Sequence, residues 1–98
     1  MRTVQLRRYR VADGRMRDWL EEWAGKVRPL REAHGFTVLG AWAVEDAGEF
    51  VWVIAHDGPT TFEEADAAYY ASPERAELDP DPARHLVEIR TDFVTEVA

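Results

Sequence analysis

Cysteine is absent from the 98 residues, serine and lysine occur once each (Ser72, Lys26), and histidine three times. Without cysteine the chain has no disulfide, no thiol nucleophile and no zinc–thiolate site. Its one serine stands at a helix start, not on a strand–turn–helix elbow, which excludes serine-nucleophile chemistry. His34, His56 and His85 are far apart and share no metal-ligand spacing, so no metal site is expected. The acids of "DPDP", Asp79 and Asp81, lack the further ligands of a calcium loop. No glycine-rich phosphate loop is present, and the chain is expected to work without a cofactor. No apolar run approaches the roughly 20 residues that span a bilayer. No apolar h-region follows Met1. The expected location is therefore cytoplasmic, with no membrane partner.

What is present describes one folded domain over residues 1–98, 46% apolar and 32% charged. The net charge of −7 argues against a nucleic-acid partner. Residues 1–17 carry six arginines against one acid, a local +5, and the remainder holds −12. Internal pairing of a basic first strand with acidic later segments is the simplest account.

Residues 2–11 read as a strand through Val4, Leu6, Tyr9 and Val11. "ADG" ends it, and Asp13 is placed to cap a helix from Gly14 or Arg15. Met16, Trp19, Leu20, Trp23, Val27 and Leu30 form one apolar stripe on that helix. Pro29 should kink it, and His34–Gly35 should stop it. "FTVLGAWAV" (36–44) and "EFVWVIAHD" (49–57) read as a hairpin. Thr60 and Thr61 each precede a glutamate at capping-box spacing, so a helix should run to about Ala71. A short helical turn follows Ser72–Pro73, then an irregular loop, then a strand over 85–97. The order β-α-β-β-α-β predicts an α+β, ferredoxin-like fold: a four-stranded antiparallel sheet, strand order 4-1-3-2, with both helices on one face.

Phe50 to Ala55 are six consecutive apolar residues, so strand 3 is dry on both sides. Two helices cover one side only. The small set, Val51, Val53 and Ala55, is expected beneath the helix that bears Trp19 and Trp23. The large set, Phe50, Trp52 and Ile54, is expected to be left for a partner. An apolar sheet of this size is seldom left wet; the simplest partner is an identical chain across a two-fold axis.

The pattern Leu6-Arg7-x-Tyr9 in "LRRYRVADGRMRDWL", and the run His34, Gly35, Gly40, Trp42 in "LREAHGFTVLGAW", resemble the NIPSNAP family over about Val4 to Val97. The resemblance implies a dimeric α/β barrel in which two sheets meet back to back. It also implies three kinds of role. One is a cofactor-independent monooxygenase acting on an aromatic or polyketide-like compound. Another, a haem-degrading oxygenase, relies on an asparagine that this chain lacks. The third is a non-catalytic homodimeric binding or accessory module.

Arg7 and Tyr9 share a face of the central strand. A buried arginine needs an anion partner or a ligand. Glu88, Asp92 or Glu96 on strand 4 could pair with Arg7; alternatively Arg7 holds a ligand carboxylate or phenolate with Tyr9 beside it. Trp42, Trp52, Tyr69 and Tyr70 could line an aromatic pocket, and His56 closes strand 3 near it. The candidate ligand is thus a small, largely apolar or aromatic molecule, and the residues leave catalysis and binding both open.

Overall fold

The computed structural model describes residues 2–98. Strands β1 (Thr3–Val11), β2 (Phe36–Val44), β3 (Glu49–His56) and β4 (Leu86–Val94) form one antiparallel sheet in the order β2-β3-β1-β4. Helices α1 (Met16–Glu22) and α2 (Arg28–Ala33) join through a π turn, Trp23–Val27. Helices α3 (Phe62–Ala71) and α4 (Pro73–Ala76) precede a 3₁₀ turn, Pro82–His85. This is the expected β-α-β-β-α-β ferredoxin-like arrangement.

Local chemistry sets the boundaries. The Thr61 side chain accepts from the Glu64 amide at 3.1 Å and starts α3; of the two threonines expected, it is the cap. Ser72 donates to the Tyr69 carbonyl at 2.7 Å and accepts from the Arg75 amide at 3.1 Å, closing α3 and opening α4 with one hydroxyl. Gly35 ends the first helical run with φ +90°, a conformation that L side chains rarely adopt.

Pro29 is accommodated by the π turn just before it. Arg28 N–H bonds to the Trp23 carbonyl, an i→i+5 bond. The widened turn also rotates the helix. An α-helix overshoots one full turn by about 40° every four residues; the slack of a π turn offsets that drift. Trp19, Trp23, Val27 and Arg31 are therefore all buried at a spacing of four, while Leu30 is only partly covered.

Strand register assigns the two faces. Arg7 opposes Trp52, Tyr9 opposes Phe50 and Gln5 opposes Ile54 on the helix side. Leu6–Val53, Arg8–Val51 and Val4–Ala55 are on the open side. The large set of β3 is thus the one beneath the helices, reversing the expectation for Phe50, Trp52 and Ile54. Phe50 meets Trp19 and Trp23 edge-on at 5.6 and 5.1 Å, and Trp52 meets Trp23 at 5.5 Å. Large rings on both layers interlock here, where small residues would have left a gap.

The open face carries Val4, Leu6, Val51 and Val53, half-buried, with Trp42, Val44 and Val94 exposed. Trp42 stands over Gly40: a Cβ at Gly40 would be 2.5 Å from the indole. The basic first strand pairs as expected, through Arg8–Glu49 (3.2 Å), Arg10–Glu88 (3.0 Å) and Arg2–Asp57 (3.3 Å). Among the described residues no helix is long and apolar enough to cross a membrane.

Candidate functional site

A cavity of about 530 Å³ lies between the helix-side face of the sheet, the first helical run and the segment 75–86. Trp19, Trp52, Tyr9 and Tyr69 form its aromatic walls, Arg31, Tyr70 and Arg75 its polar side, and Leu86 and Ile89 its outer edge on β4. The helices leave the Ile89 end of β4 uncovered, so Ile89 remains half exposed on the helix side and the cavity opens there, while Phe93 further along the strand packs edge-on against Phe62 of α3 at 5.3 Å.

The polar side is built on two buried guanidinium groups. Arg7 is 3% exposed. Its Nε donates to the Tyr9 hydroxyl at 2.7 Å, Nη1 to Gln5 Oε1 at 2.7 Å and Nη2 to the Tyr70 hydroxyl at 3.0 Å. All three acceptors are neutral oxygens, and among the described residues no carboxylate pairs with Arg7. Burial pushes the Tyr9 phenol up, and the Arg7 charge only partly offsets this; burial likewise raises Tyr69. The Tyr9 phenol, the nearest of Arg7's partners, therefore does not neutralise it. The pairing with Glu88, Asp92 or Glu96 does not form. Arg7 opposes Thr91 on β4, whereas Asp92 and Glu88 oppose Leu6 and Arg10 on the open face, and Glu96 lies beyond the strand.

Arg31 is 1% exposed. Nη1 donates to Asp66 Oδ1 at 2.6 Å and Nη2 to the Tyr70 hydroxyl at 3.2 Å. Its guanidinium lies 3.9 Å above the Tyr69 ring and 4.8 Å from that of Phe36, a desolvated cation–π arrangement worth about 2 kcal/mol. The Tyr70 hydroxyl thus accepts from two arginines. Arg75 adds a third cation at the rim, bound to Asp81 at 2.9 Å. Two carboxylates, Asp79 and Asp81, also line the rim, but the unmatched buried groups beside the cavity are donors: among the described residues Trp19 Nε1, Trp52 Nε1, Arg31 Nε and Arg75 Nε are buried without a partner. A buried donor left unmatched is unfavourable, so the site favours a guest rich in acceptors.

The far side is fastened by one carboxylate. Arg84 donates to both oxygens of Glu22, at 2.8 and 2.9 Å, and His85 Nε2 lies 2.9 Å from Oε2. This ties the end of α1 to the turn that closes the cavity. Arg84 holds the Glu22 carboxyl at about 2, against an ordinary 4.5; burial opposes the shift and His85 adds to it. A carboxyl depressed in the folded state contributes stability above its unfolded value and loses it as pH falls through the folded one. Stability is therefore expected to decline between pH 4.5 and 2, and Glu22→Gln should flatten that decline in urea titrations at stepped pH. Equal slopes for both proteins would show that the clamp carries no linkage.

Of the residues read from the sequence, Tyr9, Trp52 and Tyr69 line the cavity, and Arg7 stands directly behind Tyr9 and Tyr70. Trp42 is on the opposite face of the sheet. His56 lies at the far end of β3, its Nδ1 accepting from the Gly58 amide at 3.2 Å and its ring 5.5 Å from Phe36; neither residue joins the group. Arg31, Asp66 and Arg75 were not singled out by sequence. For Arg31 a signal existed in the four-residue spacing from Val27, and Leu30 masked it. Among the described residues no three acidic or histidine side chains are gathered for a metal.

The family model described as NIPSNAP matches residues 4–98. Among solved structures, an uncharacterized NIPSNAP domain protein from Burkholderia xenovorans superposes with TM-score 0.83 at 18% identity, covering 100% of this chain and 96% of that one. A NIPSNAP family protein from Agrobacterium tumefaciens gives TM-score 0.85 at 10% identity, over 99% and 94%. A putative antibiotic biosynthesis monooxygenase from Bacteriodes thetaiotaomicron gives 0.74 at 15%, over 99% and 90%. These likenesses show the fold. No curated protein sequence matches.

Proposed function

The chain belongs to the NIPSNAP family, and from that premise we propose that it binds a small anionic molecule with an aromatic or otherwise apolar body in the cavity between sheet and helices. The observation that carries this reading is Arg7: a cation 3% exposed whose three bonded partners are all neutral. A buried charge without a counter-ion is unfavourable for folding. It becomes useful when a carboxylate or phenolate arrives, since a charge-assisted bond forms in a dry, aromatic setting. The walls of Trp19, Trp52 and Tyr69 supply the apolar surface such a body would cover.

The protein is proposed to work as a homodimer through the open sheet face. Val4, Leu6, Val51, Val53 and Trp42 form an apolar centre there, and the Arg8–Glu49 and Arg10–Glu88 pairs form a polar margin at one end.

A cofactor-independent monooxygenase is the second reading, favoured by the fold shared with a putative antibiotic biosynthesis monooxygenase. Two guanidinium groups beside a cavity would hold a substrate as its anion, the electron-rich form that reacts with oxygen. The geometry supports the binding part of that reading most directly.

Thermal shift with 1-naphthoate and its neutral amide tests the proposal. A ligand at 100 times its dissociation constant stabilises by about 2.7 kcal/mol. The acid anion should raise the melting temperature and the amide should not; equal shifts, or none with either, would remove the anion site.

A further inference from the structure

Tyr70 holds an unusual position. It is 49% exposed, one residue before the end of α3, yet its hydroxyl reaches inward to accept from both Arg7 and Arg31. Its ring is 5.0 Å from that of Tyr69 and has the Arg31 and Arg75 guanidinium groups at 5.1 and 5.8 Å. The chain has placed one of its own phenols in the arrangement that a phenolic ligand would adopt: oxygen between two cations, ring among aromatic and guanidinium faces. Arg7 does not itself line the cavity; Tyr9 and Tyr70 stand in front of it.

We propose that Tyr70 is a displaceable internal ligand, and that the molecule this site takes is a phenol bound as phenolate, which replaces the Tyr70 hydroxyl between Arg7 and Arg31. This rests on the anion-binding reading above and adds to it both the ligand class and the device that controls access. A half-exposed side chain at a helix end can rotate into solvent without opening the core, whereas Tyr9, 4% exposed and packed on Trp19 and Phe50, cannot. Displacement exchanges a neutral oxygen for an anionic one at two guanidinium groups, and charge-assisted bonds are the stronger. With Tyr70 in place Arg7 Nη2 and Arg31 Nη2 both have an acceptor, so an apolar molecule or a neutral phenol gains little by entering. The tyrosine thereby selects for ligands that ionise.

The probe is 4-nitrophenol, whose ionised form absorbs at longer wavelength than the acid. Titration by absorbance and calorimetry is run on the wild type, on Tyr70→Phe, which loses the competing hydroxyl, and on Tyr70→Ala, which loses hydroxyl and ring. Tyr70→Phe and Tyr70→Ala should each bind the probe about tenfold more tightly, the scale of one or two hydrogen bonds no longer displaced. In all three proteins bound probe should ionise at lower pH than free probe. Binding by the variants alone would equally support displacement. If the wild type binds and Tyr70→Phe binds equally or less well, Tyr70 is a bystander or a fixed part of the site; this inference then fails while the anion site stands. If no protein binds the probe but naphthoate stabilises the wild type, the phenol class is wrong. If neither probe binds, both readings fall together.

Discussion

Phe50→Asp is expected to unfold the protomer. Phe50 is 2% exposed and is enclosed by the rings of Tyr9, Trp19 and Trp23 at 6.2, 5.6 and 5.1 Å. An aspartate there removes a large aromatic side chain, costing about 3–5 kcal/mol, before the charge is counted. An unpaired buried carboxylate adds several more. The sum matches or exceeds the roughly 5–15 kcal/mol by which small domains are stable. Circular dichroism should show loss of secondary structure at room temperature. A folded Phe50→Asp protein would mean that the helices do not cover this side of β3.

Three residues along the same strand, Val53→Asp should do something different. Val53 opposes Leu6 and Gly40 at the centre of the open face. In an isolated protomer it is only half-buried, so the charge should destabilise the fold by about 1–2 kcal/mol. At a two-fold interface the same substitution places two carboxylates near each other in an apolar setting, where like charges repel and lose water together. The expected result is a folded monomer by sedimentation or light scattering, against a wild-type dimer at micromolar concentration. A wild type that runs as monomer throughout, or a Val53→Asp variant that stays dimeric, would take the interface away from this face. Together the two variants read the sidedness of one strand: one side is expected to hold the chain together, the other to hold the proposed partner.

That sidedness was the part of the fold the sequence left ambiguous. Alternation separates Phe50, Trp52 and Ile54 from Val51, Val53 and Ala55 without saying which set meets the helices, because both are apolar. What decides is the partner layer: Trp19 and Trp23 need large rings to interlock with. Boundaries were far more legible. Strand β2 begins and ends at the expected residues 36 and 44, and helix α3 stops at Ala71, since capping hydroxyls and turn residues act locally. The site was half legible. Arg7 and Tyr9 followed from strand periodicity, but the absence of a carboxylate partner depends on which residue of β4 opposes Arg7. A shift of one residue would have brought Asp92 to its side. Arg31 was hidden by a π turn that no helical template contains; Tyr70 was read as a pocket aromatic, but the contact of its hydroxyl with two arginines depends on tertiary packing.

The proposed role of Arg7 is that of a cation kept for a ligand and not for the fold. Equilibrium urea denaturation of Arg7→Met, alongside its thermal response to 1-naphthoate, tests this most directly. Methionine retains much of the apolar stem, and the three groups left behind (the Tyr9 hydroxyl, Gln5 Oε1 and the Tyr70 hydroxyl) are neutral. The predicted result is loss of the naphthoate shift, with a stability cost of about 1–3 kcal/mol from acceptors left without a donor, offset in part because a desolvated charge leaves with the side chain. A loss of about 3–5 kcal/mol, the scale of a broken buried ion pair, with the naphthoate shift intact would contradict it.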